Sequence, residues 1–156
     1  MKKAYWFTLL AMVLSLLVVI NAYLYKTHYQ RTHFHCQGVA VVVNGNDSVN
    51  ALFSLTLSGD IGQFSVDGKV TNQTEGAKIV SRMTSVRVKQ HGDDLYLTNY
   101  SVSELLGNTA SDAILKNLIP AYFIASDVSA KLNIYPISGK SFLIANDQDM
   151  SIYCKK

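Results

Sequence analysis

"CQGVAVVVNGNDSVNALFSLTLSG", residues 36–59, holds two apolar runs on either side of a turn. The first run is rich in valine, Asn44–Asp47 supplies turn formers, and the second, Val49–Gly59, mixes Leu52, Leu55 and Leu57 with polar residues. Alternation with a period of two, enriched in β-branched residues and bounded by turn residues, is the pattern of half-buried strands. It recurs downstream. "GQFSVDGKVTN" (Gly62–Asn72) puts Phe64, Val66, Gly68 and Val70 on one face of a continuous strand, with Gly68 marking a bulge or bend. A hairpin turn at Asp67-Gly68 is the alternative, but each arm would be very short.

"AKIVSRMTSVRVKQ" (Ala77–Gln90) and "LYLTNYSVS" (Leu95–Ser103) flank "HGDD" (His91–Asp94), a strong hairpin signal. Strands are expected again at Lys131–Ser138, Ser141–Asn146 and Met150–Cys154. One stretch breaks the alternation: "NTASDAILKNLIP" (Asn108–Pro120) has Ala113, Ile114, Leu118 and Ile119 at helical spacing. Ser111 or Asn108 is the candidate N-cap there and Pro120 the terminator. The pattern predicts seven or eight antiparallel strands and one short helix.

The two cysteines, Cys36 and Cys154, lie on the first and last of these strands. A bond between them requires Cα atoms within about 7 Å and so makes those strands neighbours. In a meander, that adjacency closes the sheet into a barrel or half-barrel and removes exposed edges. Two unpaired buried cysteines are the alternative, and a redox centre is disfavoured because no C-x-x-C occurs. A disulfide would also need an oxidising compartment such as a periplasm.

Upstream, the uncharged stretch Tyr5–Tyr25 is long enough as a helix to cross about 30 Å of hydrocarbon. A cleaved signal peptide would have a shorter apolar stretch, and "INA" (Ile20–Ala22) has a bulky residue where its cleavage site needs a small one. Tyr5, Trp6, Tyr23 and Tyr25 place aromatic rings at both interfaces. Lys2 and Lys3 on one side and Lys26 and Arg31 on the other nearly cancel as topology signals, so orientation rests on the cysteines. The expected layout is a cytoplasmic start (1–4), a transmembrane helix (5–25), a polar tether (26–35) and a periplasmic β domain (36–156) on the bacterial inner membrane. Within the span Ala4, Thr8, Ala11, Ser15, Val18 and Ala22 recur every three or four residues, a stripe of mostly small residues suited to packing on a partner helix.

Chemistry is sparse. Over 156 residues there are 14 basic and 11 acidic side chains, and with Lys2 and Lys3 set aside the two signs nearly balance, which disfavours direct nucleic-acid binding. Phosphate-binding and nucleophile motifs are missing from the sequence. The carboxylate pairs Asp93-Asp94 and Asp147 with Asp149 fall in expected turns, where solvated turn formation is commoner than acid–base work. His28, His33 and His35 fall in the tether; His33-x-His35 lacks a third ligand of suitable spacing, and the three imidazoles are candidates for acid sensing. "NDS", "NQT" and "NYS" match the glycosylation sequon and are expected to stay bare. The reading is a non-enzymatic protein with no catalytic residue, metal or cofactor.

Several short motifs share a layout with a known family: "C-x-G" (Cys36, Gly38), "F-x-x-x-G-x-V" (Phe64, Gly68, Val70), a strand carrying Arg82, "LIPAYF" (Leu118–Phe123), "IYP" (Ile134–Pro136) and "IYC" (Ile152–Cys154). With one span ahead of them, they resemble the FidL-like membrane proteins of enterobacteria. That family is distantly similar to the ToxS, PsaF and VtrC type of accessory protein, which pairs with membrane-bound transcription regulators of the ToxR type. The resemblance implies a periplasmic, lipocalin-like barrel that binds and stabilises such a regulator, with a bile salt or other apolar ligand in some relatives. Two rivals remain, a periplasmic binder of small apolar ligands and a membrane-tethered assembly or chaperone factor for surface structures. If the span is an anchor, the mature protein keeps residues 1–25, and the intact mass of membrane-extracted chain reports this directly; a mass corresponding to cleavage after Ala22 rejects the anchor.

Overall fold

Lys2–Thr32 forms one unbroken helix, α1, in the computed structural model of the chain, which describes residues 2–91, 94–138, 140–146 and 151–156. The side chains of residues 2–5, 30 and 31 lie outside that description. Neither Gly nor Pro occurs before residue 33, so nothing local stops the helix at the end of the apolar stretch. It therefore continues through Lys26–Thr32, and β1 starts at His33, so residues 26–35 are helix and strand rather than the expected tether. Polar side chains in these turns bond back to the helix: Thr27 Oγ1 donates to Leu24 O at 2.9 Å and Thr32 Oγ1 to His28 O at 3.0 Å. Trp6–Tyr29, 24 residues, is long and apolar enough to cross a membrane.

The chain divides into two units, residues 1–33 and 34–156. The second is an eight-stranded antiparallel barrel in which each strand neighbours the next and β8 returns to β1. Its strands are β1 (His33–Asn44), β2 (Asp47–Ser58), β3 (Ile61–Asn72), β4 (Gly76–His91), β5 (Asp94–Glu104), β6 (Ser129–Ser138), β7 (Ser141–Asn146) and β8 (Ser151–Lys155). β3 is continuous, as its pattern predicts, and pairs with β2 and β4 without a register shift. Gly68 marks a close approach rather than a bulge: a Cβ there would collide with Asn50 O and Ala51 on the opposing strand. The His91↔Asp94 pairing fits the expected hairpin, although Gly92 and Asp93 themselves, like Gly139, Asp147 and Asp149, lie outside the described residues.

Alternation sends Val49, Ala51, Phe53, Leu55 and Leu57 of β2 into the lumen, so Leu52 points outward and is partly exposed. Phe64, Val66 and Val70 of β3 join them, with Val80, Val86 and Val88 of β4 and Leu95 and Leu97 of β5. The long connection between β5 and β6 closes one end of the barrel. The helix expected across Asn108–Pro120 shrinks there to a single turn, α2 (Asp112–Leu115), followed by a 3-10 turn at Ala121–Phe123. Ser111 occupies its N-cap position without a side-chain bond, and Ala113 is exposed. What the connection buries is Ile114, Leu115, Leu118, Ile119, Tyr122 and Phe123. The aromatic rings meet inside the lumen, Phe123 lying 5.7 Å from Phe53 and 6.1 Å from Phe64 between centroids. At roughly 1.5–3 kcal/mol for each fully buried large apolar side chain, this connection belongs to the core as much as any strand.

Cys36 and Cys154 are joined, with Cα atoms 5.5 Å apart, as the spacing on first and last strands predicts. Around them β8 pairs with β1 at Gln37↔Lys155, the one ladder pair between these strands among the described residues. Gly38, next along β1, has the Tyr153 carbonyl so close that any Cβ would clash with it. The two strands thus approach closely beside the disulfide. The disulfide bridges residues 118 apart in sequence, and in the chain-entropy picture a loop of about 100 residues stabilises the folded state by near 4.7 kcal/mol before strain. Replacing both cysteines with alanine is therefore expected to lower the urea-unfolding free energy by about 3–4 kcal/mol, a loss below about 1 kcal/mol being inconsistent with this role.

Candidate functional site: the plugged end of the barrel

Three polar side chains sit on inward positions of an otherwise apolar lumen, namely Arg82 and Thr84 on β4 and Asn99 on β5, each almost fully buried. Buried polar groups are costly unless bonded, and each of these finds its partners on the β5–β6 connection. Thr84 Oγ1 donates to Tyr122 O at 3.0 Å. Asn99 Nδ2 donates to Tyr122 O at 2.9 Å and Ala125 O at 2.6 Å, while its Oδ1 accepts from Val128 N at 2.6 Å. One amide side chain thus fixes three backbone groups of a segment with little regular structure of its own. A register shift in the β4–β5 ladder between Ser85 and Val86 sets Asn99 opposite Val86.

Arg82 is the buried cation of the lumen. Its Nη2 lies 2.7 Å from Glu104 Oε1 and 2.6 Å from Asp112 Oδ1, joining the end of β5 to the first turn of α2. Longer bonds reach Phe123 O and Ala110 O, both 3.4 Å. Nε has no partner among the described residues. Outside, Ser81 N donates to Asn108 Oδ1 at 3.1 Å and Ile79 N to Thr109 Oγ1 at 2.9 Å, so residues 105–110 continue along the β4 edge where β5 stops. Asn108 therefore serves the neighbouring strand instead of capping a helix. Burial pushes the Tyr122 phenol above its ordinary range, so it stays neutral in the lumen.

Beside this plug lies a cleft of about 480 Å³. Four consecutive residues of β1, Ala40–Val43, form one wall, Leu118, Ile119 and Pro120 the floor, and Asn146 and Ser151 the far side. Lys116 and Asn117 complete the rim, and Asn44 Nδ2 donates to Asn117 O at 3.1 Å, clipping the end of β1 to the connection.

The residues singled out from sequence fall elsewhere. Thr8, Ala11, Ser15, Val18 and Ala22 lie on α1 with exposed side chains, Ser15 Oγ donating to Met12 O at 2.8 Å; the side chain of Ala4 is outside the described residues. His28 is exposed on α1, the His33 ring stacks on Tyr29 at 3.9 Å, and His35 Nδ1 lies 2.8 Å from Thr56 Oγ1. Among the described residues no three His, Cys, Asp or Glu side chains converge to hold a metal. Asp94 pairs with Lys131 at 2.9 Å, and Asn99 of "NYS" is buried and fully engaged, inaccessible to glycosylation. Arg82, Thr84 and Asn99 were legible as sites only through phase. Arg82 and Thr84 fall in step with Val80, Val86 and Val88, and a polar side chain in step with an inward apolar series must find a buried partner.

That logic ranks two variants. Arg82→Met removes the buried cation while keeping a long side chain, and leaves two carboxylates that are largely solvated. The double variant Glu104→Gln/Asp112→Asn instead strips a buried guanidinium of both counter-charges, at about 2–3 kcal/mol, less than a fully buried pair would lose because water reaches both acids. Urea unfolding is expected to show the double variant less stable than Arg82→Met; the reverse order would remove the ion pair from its place as the clasp of the plug.

No curated protein matches the chain. The profile of the YqeJ C-terminal domain matches residues 23–154, from within α1 to Cys154 itself. It spans the barrel, both cysteines, the three inward polar residues and the plug, and the chain belongs to the YqeJ C-terminal domain family.

Proposed function

We propose that this protein is a single-pass inner-membrane accessory factor whose barrel, on the periplasmic side, binds and stabilises a partner, a membrane-bound transcription regulator of the ToxR type. The choice of partner comes from the resemblance to FidL-like and ToxS-type proteins. The observation that supports a binding surface is the uneven exterior of the barrel. On β1 the outward residues Val39, Val41 and Val43 are 66, 63 and 67 % exposed. On the other side of the seam, Tyr135, Leu143 and Tyr153 stand in register across β6, β7 and β8, with both tyrosines exposed. By contrast the middle of β3 is polar outside, at Gln63, Ser65, Asp67 and Lys69, although single apolar residues such as Ile61 and Ile79 are exposed elsewhere. A contiguous row of exposed apolar residues along one strand is the kind of surface that meets another protein. α1 supports membrane attachment by its length and composition.

A second reading, binding of a small apolar ligand, draws on the cleft, whose volume and apolar floor lie within the range of ligand sites. Gentle detergent extraction of the full chain from its native membranes separates the two. A membrane-anchored regulator with a winged-helix domain is expected to co-purify in stoichiometric amount. The triple variant Val39→Thr/Val41→Thr/Val43→Thr is expected to lower its recovery at least ~10-fold while thermal unfolding changes little. Recovery of a lipid-like molecule and no regulator would favour the second reading and reject the first.

A further inference from the structure

Because successive strands run in opposite directions, the barrel gathers the start of β1, every second turn and the end of β8 at one rim. That entry rim carries the β2–β3 turn before Ile61, the β4–β5 turn after His91, the β6–β7 turn at Lys140 and the end of β8 at Lys155. Lys155 stands opposite Ser141, and Lys156 N donates to Lys140 O at 2.8 Å, so three lysines share one sector of the rim. Across it, Arg87 pairs with Ile61 at the start of β3, and Lys89 follows it toward the β4–β5 turn.

Arg87, Lys89, Lys140, Lys155 and Lys156 are exposed, and none makes an ion pair among the described residues. Arg87 lies over the Tyr100 ring at 5.5 Å. The acids described at this rim are Asp60 and Asp94, and Asp94 is held by Lys131 at 2.9 Å; Asp93 lies outside the described residues. Nearer the plugged end, by contrast, Arg82 and Lys78 are both paired with carboxylates, leaving Lys69 and Lys116 as exposed cations. Ile61 and Ile137, beside the β2–β3 and β6–β7 turns, add apolar side chains that are 57 and 54 % exposed.

The spread of these cations selects the occupant. β4 and β8 are four strands apart in either direction around the barrel, so one phosphate or carboxylate cannot meet both groups. An extended anionic surface can. The chain also enters the barrel at this rim: β1 follows α1 without a linker, and Lys26–Thr32 add only about 10 Å of helix after the apolar stretch. That length is comparable to the screening distance at physiological salt, about 8 Å.

We propose that the entry rim is a membrane-docking surface that binds the anionic phospholipid headgroups of the leaflet from which α1 emerges, with Ile61 and Ile137 at the lipid interface. The site rests on the membrane attachment in the reading above and not on the regulator. Docking by the rim leaves Val39, Val41 and Val43 on the side wall, open to a partner anchored in the same membrane.

The test uses the full chain in nanodiscs of phosphatidylcholine alone or in an equal mixture with phosphatidylglycerol. Acylation by a water-soluble reagent, read at each lysine by mass spectrometry, is expected to slow at least ~5-fold at Lys89, Lys140 and Lys155 in the anionic discs, with Lys69 and Lys116 unchanged. High salt is expected to abolish the difference. Lys140→Glu/Lys155→Glu is expected to remove the slowing at Lys89, and Lys69→Glu/Lys116→Glu to leave it intact, thermal unfolding first showing that both variants fold. Equal slowing at Lys69 and Lys116 would overturn the proposal, as would the same slowing in neutral discs with added inorganic phosphate. Slowing that appears only once a regulator is bound would also overturn it, by making a protein the occupant. A chain that enters the discs but reacts alike in both lipids would reject docking and leave membrane attachment intact, whereas a chain that fails to enter them would reject both.

Discussion

Closure of the sheet depends on the junction between its first and last strands. Seven of the eight neighbouring strand pairs follow one another along the chain, so each can form from a local connection. The eighth joins β1 to β8 across nearly the whole domain, where the disulfide links the two strands and Gly38 leaves room for the Tyr153 carbonyl. Without it, β1 and β8 would be two free edges, the feature that barrels exist to remove. With it, both ends of the domain meet beside the point where the chain enters the barrel from α1.

At the opposite end the barrel is stopped by its own chain. A connection of this length with only two short turns would leave many backbone groups unsatisfied if it simply lay over the mouth. Asn99, Thr84 and Arg82 supply donors and acceptors to it from within the lumen, and Asn108 and Thr109 tie it to β4 from outside. Phe123 and Tyr122 then fill the space among Phe53 and Phe64. The lumen is thus occupied by side chains of the protein, and the space open to another molecule lies at the wall, between β1 and the plug.

How much of this was visible in sequence follows from which forces are local. Strands β1 to β8 were legible because alternation and turn residues are short-range signals, and the disulfide because two cysteines on terminal strands have one partner each. α1 ran past Tyr25 because charge ends a membrane span but does not end a helix, and no Gly or Pro interrupts the chain there. The α2 region was overestimated for the opposite reason. Its apolar residues at Ile114, Leu118 and Ile119 do face one side, yet that side is a barrel mouth that accepts turns as readily as a helix. Leu52 faces outward because Val49, Ala51 and Phe53 set the phase of β2, which one apolar residue does not. The cleft had no signature at all, since its lining comes from β1, the β5–β6 connection and the β7 and β8 ends, which are far apart in sequence.

The account turns on a seam fastened by the Cys36–Cys154 disulfide, and native-state hydrogen exchange of the oxidised and reduced protein measures it most directly. The expected result is slow exchange through β3 and β4 in both states and a selective loss of protection in β1 and β8 on reduction. Unchanged protection of β1 and β8 on reduction, or a loss spread evenly over all eight strands, would contradict it.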